Sequence, residues 1–153
     1  HPKVKQRDRA VVANAKVAYR RFQEVFGSAR FKKLQAAGAK VQRPLWASTG
    51  TKNEKYSDTL YISELIGPDT VNTMPPATID AFRDHGVVRR TIDADYGAAE
   101  QALADLKAAG ISLDEITAQL QVDGVASFSK SFEVISATTM KKADQIKQKA
   151  GAA

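Results

Sequence analysis

Cysteine is absent from the 153-residue chain, and histidine occurs only as His1 and His85. The lack of cysteine excludes disulfide bonds, thiolate nucleophiles and cysteine zinc sites, and it is compatible with a cytosolic origin. Two histidines give little support to a histidine metal site or to a Ser-His-Asp triad. We therefore predict no metal site and no cofactor in this chain.

Long apolar runs are also missing. No run approaches the roughly 18 residues that span a bilayer, and the charged start from His1 to Arg9 is not followed by an apolar signal segment. We therefore expect a soluble, cytoplasmic protein with no membrane partner. Hydrophobic residues make up 43% and charged residues 26% of the sequence, which fits one ordinary globular domain.

The charge is unbalanced, because the chain carries a net charge of +6 at neutral pH. Such a charge favours an anionic partner, either a sugar phosphate or a nucleic acid. No alternation of aromatic and basic residues suited to base stacking occurs, so nucleic acid is not the expected partner, although a non-catalytic basic helical module stays open. The simpler explanation of the positive charge is that the basic residues lie on solvated helix faces. The basic residues are concentrated at the two ends: Lys3, Lys5, Arg7, Arg9, Lys141, Lys142, Lys147 and Lys149.

Apolar residues at steps of three or four predict a helix over residues 7–26. A second helix is predicted over residues 28–37, followed by Gly38 as a C-terminal cap. A third is predicted over residues 56–66, with Ser57 as its N-cap. A fourth is predicted from Pro76 to near His85. The terminal helices cover residues 98–148. Within them, Ser112 and Glu115 have the spacing of a capping box that opens a helix through Leu120, and an apolar stripe from Val125 to Ile146 marks the inner face of a last, long helix.

Two short strands are predicted among these helices. Residues 44–48 form a nearly continuous apolar run, typical of a strand buried on both faces in a parallel sheet. Residues 70–74 form the second strand, which must end before Pro75 because proline cannot continue a ladder. A parallel pair alone is a poor sheet, and a complete (β/α)₈ barrel needs about 250 residues.

Three segments between residues 43 and 78 form a long and specific pattern: RPLWASTGTKN at 43–53, YSDTLY at 56–61 and LIGPDTVNTMPPAT at 65–78. They are preceded by VANAKVAY at 12–19 and followed by AFRDHG at 81–86. These segments resemble transaldolases of the longer bacterial type. Transaldolases of this type are (β/α)₈ barrels. The resemblance therefore implies an α/β fold class, as the C-terminal part of such a barrel, helix-rich when taken alone, in a single segment spanning residues 1–153.

The resemblance makes residues 44–48 the seventh strand and residues 70–74 the eighth. The other six strands would lie upstream of His1, so the remainder of the barrel is an expected partner. The implied reaction moves a dihydroxyacetone unit between sedoheptulose 7-phosphate and glyceraldehyde 3-phosphate, in the pentose phosphate pathway, through a Schiff base on a lysine. Neither strand contains a lysine, and in the family that residue lies on an earlier strand, so we assign no catalytic residue here. A fused glucose-6-phosphate isomerase stays open.

Substrate binding is the role left for this segment. In (β/α)₈ enzymes the active site faces the carboxyl ends of the strands, and the loops after the last two often hold phosphate. Five residues are candidates at these ends: Ser48, Thr49, Gly50, Lys52 and Asn72. For Lys52 a solvated loop lysine is an equal alternative, and for Asn72 or Thr73 a satisfied interior hydrogen bond is slightly favoured.

The remaining polar candidates are expected to be structural. Asp58 and Glu64 are expected to be solvated rather than an acid–base pair, and His85 is expected to be a capping or surface residue. The apolar stripe from Val125 to Ile146 is expected to be core, although a second subunit could also pack against it and form a homodimer.

Overall fold

Six helices and two strands are found in a computed structural model that describes residues 7–151, with side chains from residue 9 onward. Lys3 and Lys5 of the basic N-terminus, and the side chain of Arg7, lie outside the described residues. The elements are α1 (Arg7–Gly27), α2 (Ala29–Ala36), β1 (Leu45–Trp46), α3 (Leu60–Ser63), β2 (Val71–Asn72), α4 (Pro76–His85), α5 (Tyr96–Ala108) and α6 (Leu113–Gly151).

The chain forms two compact units, the first ending at Gly110 and the second beginning at Ile111. The second unit consists mainly of α6, in which Ser112 Oγ accepts from Glu115 N at 3.2 Å, one half of the predicted capping box. The predicted break between Leu120 and Val125 is wrong, because the helix continues through Gly124. A single glycine costs about 1 kcal/mol in a helix, which a helix of 39 residues tolerates.

The core of the first unit lies beneath α1. Tyr19 is 1% exposed and Ile92 is fully buried, and they cluster with Val12 and Leu65. Tyr19 also donates a hydrogen bond from its hydroxyl to Pro68 O at 3.0 Å, so its polar end is satisfied. The apolar stripe of α1 is therefore buried only in part, since Tyr19 is 1% exposed but Val11 is 55% exposed.

Helix α5 packs along α1, with Ala99 and Leu106 buried and polar contacts at the edge. Arg20 forms an ion pair with Glu100 and lies over the ring of Tyr96, 5.5 Å from its centroid. Tyr96 donates from its hydroxyl to Gln23 Oε1 at 3.0 Å. These contacts fix α5 against α1 at the edge of the core.

The two strands pair in parallel, with Leu45 opposite Val71 and Trp46 opposite Asn72. Val71 N donates to Pro44 O and Thr73 N donates to Trp46 O, both at 2.9 Å. Both strands are shorter than the predicted residues 44–48 and 70–74.

Backbone conformation explains why the strands are short. Ser48 has φ 57°, which takes the chain out of the extended region directly after β1. Asp69, with φ 58°, makes a turn just before β2. The expectation that the first strand is buried on both faces is wrong for Leu45, which is 54% exposed.

The helix predicted over residues 56–66 is reduced to the four residues of α3. Ser57 does not cap it, because Ser57 Oγ accepts from Thr59 N at 3.3 Å in a local turn. Such side-chain bonds to the backbone two residues ahead compete with helix formation. Residues 56–59 therefore belong to the loop that follows β1.

The helices α2 and α4 agree with the sequence patterns. Ser28 Oγ accepts from Phe31 N at 3.2 Å at the start of α2, and Gly38 has φ 98° after its end. Helix α4 begins at Pro76, where the missing N–H costs no helical hydrogen bond. The helix ends at His85, and the next residue, Gly86, donates from its N to Phe82 O at 2.9 Å.

Gly67 allows the closest approach in the core. A Cβ atom placed on it would lie 2.0 Å from Ile92 Cγ2, and Ile92 is fully buried and has no room to move. We predict that Gly67→Ala destabilises the chain by about 1–3 kcal/mol, because the methyl group overpacks a filled core. Urea unfolding of the purified chain measures this change.

The matched control is Gly27→Ala, since no atom lies within 4 Å of a Cβ at that position. Alanine there should leave stability unchanged or raise it by about 0.4–1 kcal/mol, because it reduces the entropy of the unfolded chain. Equal unfolding midpoints for the two variants would contradict the close contact between Gly67 and Ile92.

His85 links the loop after β1 to the end of α4. Its Nε2 lies 2.9 Å from Asp58 Oδ1, and its Nδ1 lies 3.1 Å from Asp84 Oδ2. Hydrogen bonds to Asp58 and then to Asp84 raise the pKa of His85, and the bond to His85 lowers the pKa of Asp58. Asp58 is exposed, as expected, but it is paired.

We predict that Asp58→Asn lowers the pKa of His85, and that Asp84→Asn lowers it less. The raised pKa means that the contribution of His85 to stability is full below its ordinary pKa of about 6.5 and is lost as pH rises through the raised value. An NMR titration of the imidazole protons measures the pKa directly, with Asp80→Asn on the same helix as the charge-matched control. An unchanged pKa in Asp58→Asn would disprove the pairing.

Candidate functional site

The carboxyl ends of β1 and β2 meet at one edge because the strands are parallel. Residues 47–52 leave this edge after β1, and residues 73–75 leave it after β2 on the way to α4. Four of the five candidate residues lie on the segment after β1, and the fifth, Asn72, is the last residue of β2. The short sheet therefore determines where the candidate site can form.

Thr49 and Asn72 are in direct contact. Thr49 is 4% exposed, and its Oγ1 donates to Asn72 Oδ1 at 2.7 Å. The same hydroxyl lies 3.2 Å from Thr73 O. Two of the five candidates are thus brought together from positions 23 residues apart, and Thr49 joins the loop after β1 to the end of β2.

Gly50 lies against the start of α4. A Cβ atom on Gly50 would lie 3.2 Å from Pro75 Cγ and 3.2 Å from Thr78 Oγ1, a distance tighter than ordinary van der Waals contact. Thr78 itself is buried. The absence of a side chain at Gly50 therefore lets the loop backbone approach α4 closely.

Pro75 and Thr78 also border the site, although the sequence did not indicate either residue as a candidate. Pro75-Pro76 marks the start of a helix in the sequence, but nothing local indicates that this helix start contacts Gly50. The contact exists because β1 and β2 are hydrogen-bonded neighbours, so the residues that follow them share an edge.

Ser48 and Lys52 occupy different surroundings from Thr49. Both are exposed, and Ser48 has the left-handed φ of 57°. Among the described residues, no hydrogen bond or ion pair joins either side chain to Thr49 or Asn72. The structure therefore brings Thr49, Gly50 and Asn72 together with α4 and leaves Ser48 and Lys52 on the open side of the loop.

The chemistry of this edge suits an anion with polar groups. Residues 48–52 and 72–78 contain hydroxyl, amide and ammonium groups and no carboxylate. Helix α4 adds little, because Pro76 has no N–H and both Thr78 N and Ile79 N donate to Pro75 O, at 3.0 and 3.1 Å. Lys52 is the one basic residue within residues 48–52 and 72–78.

A concave region of about 630 Å³ lies between α1, α3 and α5, and none of the five candidate residues lines it. Lys16 lines it and is 8% exposed, with Nζ 3.4 Å from Glu64 Oε2 and 3.2 Å from Ala94 O. The side chain of Glu64 is 41% exposed, which fits the expected solvation, but it also pairs with this buried lysine. A buried charge held by a carboxylate and a carbonyl is a satisfied structural pair.

Two negative findings apply to residues 7–151. No group of three or more His, Cys, Asp or Glu side chains is placed to hold a metal ion there. Within the same range, no helix is long and apolar enough to cross a membrane.

Comparison with known proteins supports the resemblance seen between residues 43 and 78. Residues 2–139 match the family model described as Transaldolase/Fructose-6-phosphate aldolase. The chain is 48% identical over 143 residues to a transaldolase of Mycolicibacterium smegmatis, covering 93% of this chain and 38% of that protein. It is 49% identical over 142 residues to a transaldolase of Saccharopolyspora erythraea, covering 92% of this chain and 39% of that protein.

Transaldolase 1 of Streptomyces coelicolor is 47% identical over 139 residues, which cover 90% of this chain and 36% of that protein. The chain thus spans well under half the length of the curated relatives it matches. The match nevertheless extends over nearly all of this chain, including both strands and the edge where they meet. The chain belongs to the transaldolase/fructose-6-phosphate aldolase family.

Proposed function

We propose that the chain is the C-terminal part of a transaldolase and that it supplies the substrate-binding end of the barrel. The reaction is the transfer of a dihydroxyacetone unit between sedoheptulose 7-phosphate and glyceraldehyde 3-phosphate in the pentose phosphate pathway, through a Schiff base. In this proposal β1 and β2 are the seventh and eighth strands of a (β/α)₈ barrel, and the protein acts in the cytoplasm.

The observation that carries the proposal is the joining of Thr49 to Asn72 at 2.7 Å, at the carboxyl edge of two adjacent parallel strands. Active sites of (β/α)₈ enzymes form at that edge, and phosphate is often held by the loops after the last two strands. Ser48, Thr49, Gly50, Lys52 and Asn72 are the residues that we assign to substrate binding. Lys52 supplies the charge for a phosphate group, and Gly50 lets the loop backbone approach it.

The lysine that forms the Schiff base is proposed to lie upstream of His1. A Schiff-base lysine needs a depressed pKa, which an apolar barrel interior provides. Neither β1 nor β2 contains a lysine. The buried Lys16 is on α1, outside both strands, and its Nζ contacts Glu64 Oε2 and Ala94 O.

The remainder of the barrel is the proposed partner of this chain. The sheet needs more strands to be stable, and Leu45 on β1 is 54% exposed. The apolar side chains of α6 also need a packing partner, either the remainder of the barrel or a second subunit. The exposed apolar residues of α6 are Ile116, Leu120, Val122, Val125, Phe128, Phe132, Val134, Ile135, Met140 and Ile146.

A borohydride trapping experiment tests the proposal. The complete protein is incubated with fructose 6-phosphate and sodium borohydride, which reduces a Schiff base to a stable amine, and the adduct is located by peptide mass spectrometry. We expect one covalent adduct, on a lysine upstream of His1, and no adduct on the 153-residue chain alone. The control omits borohydride, because the unreduced adduct hydrolyses.

Each other outcome contradicts a separate part of the proposal. An adduct on a lysine within residues 1–153 would show that the catalytic lysine is misplaced. No adduct on the complete protein, together with no transfer between the two sugar phosphates, would remove the transaldolase assignment.

Lys52→Met is predicted to raise the KM for sugar phosphates about tenfold, because it removes the positive charge at the site edge, a loss of roughly 1.5 kcal/mol. Lys55→Met is the matched control, since Lys55 is an exposed lysine of the same loop. Steady-state kinetics at low salt measure both. If the two variants have the same KM, Lys52 is a solvated loop lysine and does not bind phosphate.

A further inference from the structure

The hydroxyl of Thr49 is buried inside the candidate site. Thr49 is 4% exposed, and its Oγ1 already contacts Asn72 Oδ1 at 2.7 Å and Thr73 O at 3.2 Å. A threonine hydroxyl has a single proton to donate. Both nearby acceptors compete for that proton, so Thr49 has no donor left for a ligand.

Asn72 is better placed to meet a ligand. It is the last residue of β2 and is half-buried. Its Nδ2 donates to no group among the described residues. This nitrogen is also not fully buried. The two N–H groups of the amide are therefore accessible at the edge of the sheet.

The distance between the side chains indicates which way the amide is turned. A separation of 2.7 Å is typical of O–H···O bonds, whereas N–H···O bonds centre near 2.9–3.0 Å. Thr49 therefore faces Oδ1 of Asn72 and not Nδ2. In the opposite orientation Nδ2 would donate to Thr49 Oγ1 while the hydroxyl donates to Thr73 O, and 2.7 Å would then be short for an N–H···O bond.

We propose that Thr49 is a positioning residue that orients the amide of Asn72, and that the amide N–H groups of Asn72 donate to an oxygen of the substrate. The acceptor is a carbonyl or hydroxyl oxygen of a sugar phosphate. This inference rests on the proposed function, and it changes the role of Thr49 from a direct contact to a support for Asn72.

Loss of the Thr49 hydroxyl frees the amide to adopt both orientations, and one of them presents Oδ1 to the substrate oxygen. Two acceptors facing each other repel, so binding weakens while the chemistry at the reacting carbon is left intact. We therefore expect Thr49→Val in the complete enzyme to raise KM about fivefold and to change kcat less. Thr49→Ser keeps the hydroxyl and should restore KM to within about twofold.

A double-mutant cycle with Asn72→Ala tests whether Thr49 acts through Asn72. In the Asn72→Ala background, Thr49→Val should cause no further rise in KM, because the amide that it orients is gone. Thermal unfolding of each variant is measured in parallel. A rise in KM for Thr49→Val that is fully retained in the Asn72→Ala background would overturn the proposal, as would a KM for Thr49→Val equal to that of the wild type.

An NMR measurement on the complete protein gives an independent readout. The side-chain amide signals of Asn72 should shift and broaden in Thr49→Val and remain near their wild-type positions in Thr49→Ser, and unchanged signals in Thr49→Val would also overturn the proposal. A different result would contradict the proposed function: the wild-type complete protein would lack transfer activity and form no borohydride adduct.

Discussion

The arrangement of the site depends on two backbone hydrogen bonds, from Val71 N to Pro44 O and from Thr73 N to Trp46 O. They align β1 and β2 in parallel, so that the chain leaves both strands at the same edge. Without this register Thr49 could not reach Asn72, and Gly50 would not lie against the start of α4. The pairing is short because Ser48 leaves the extended conformation directly after β1.

The residues of the first unit are unevenly buried. Tyr19 and Ile92 form a filled core beneath α1, while Leu45 on β1 exposes more than half of its surface. Trp46 packs at the border of the core, and its Nε1 is buried without an acceptor among the described residues. A two-stranded parallel sheet has two open edges, whose backbone groups have no strand partner among the described residues.

Local sequence signals correctly predicted the helices whose start, end or buried face depends on residues close in the sequence. The stripe of α1, the glycine after α2 and the proline at the start of α4 each act within one or two turns, and the structure has all three. The helix expected over residues 56–66 failed for the same kind of reason, because Ser57 bonds to Thr59 N and competes with the helix. The break expected between Leu120 and Val125 is likewise absent, because α6 is continuous from Leu113 to Gly151.

The sequence by itself determined the family, the two strand positions and the polar residues at the strand ends, because these depend on residue identity and on short spacings. Only the tertiary structure decided which of those residues meet. It joined Thr49 to Asn72, placed Gly50 against Thr78, paired Glu64 with Lys16, and left Ser48 and Lys52 exposed. These contacts span 23 to 48 residues, and no local pattern encodes them, because they follow from which strands and helices pack side by side.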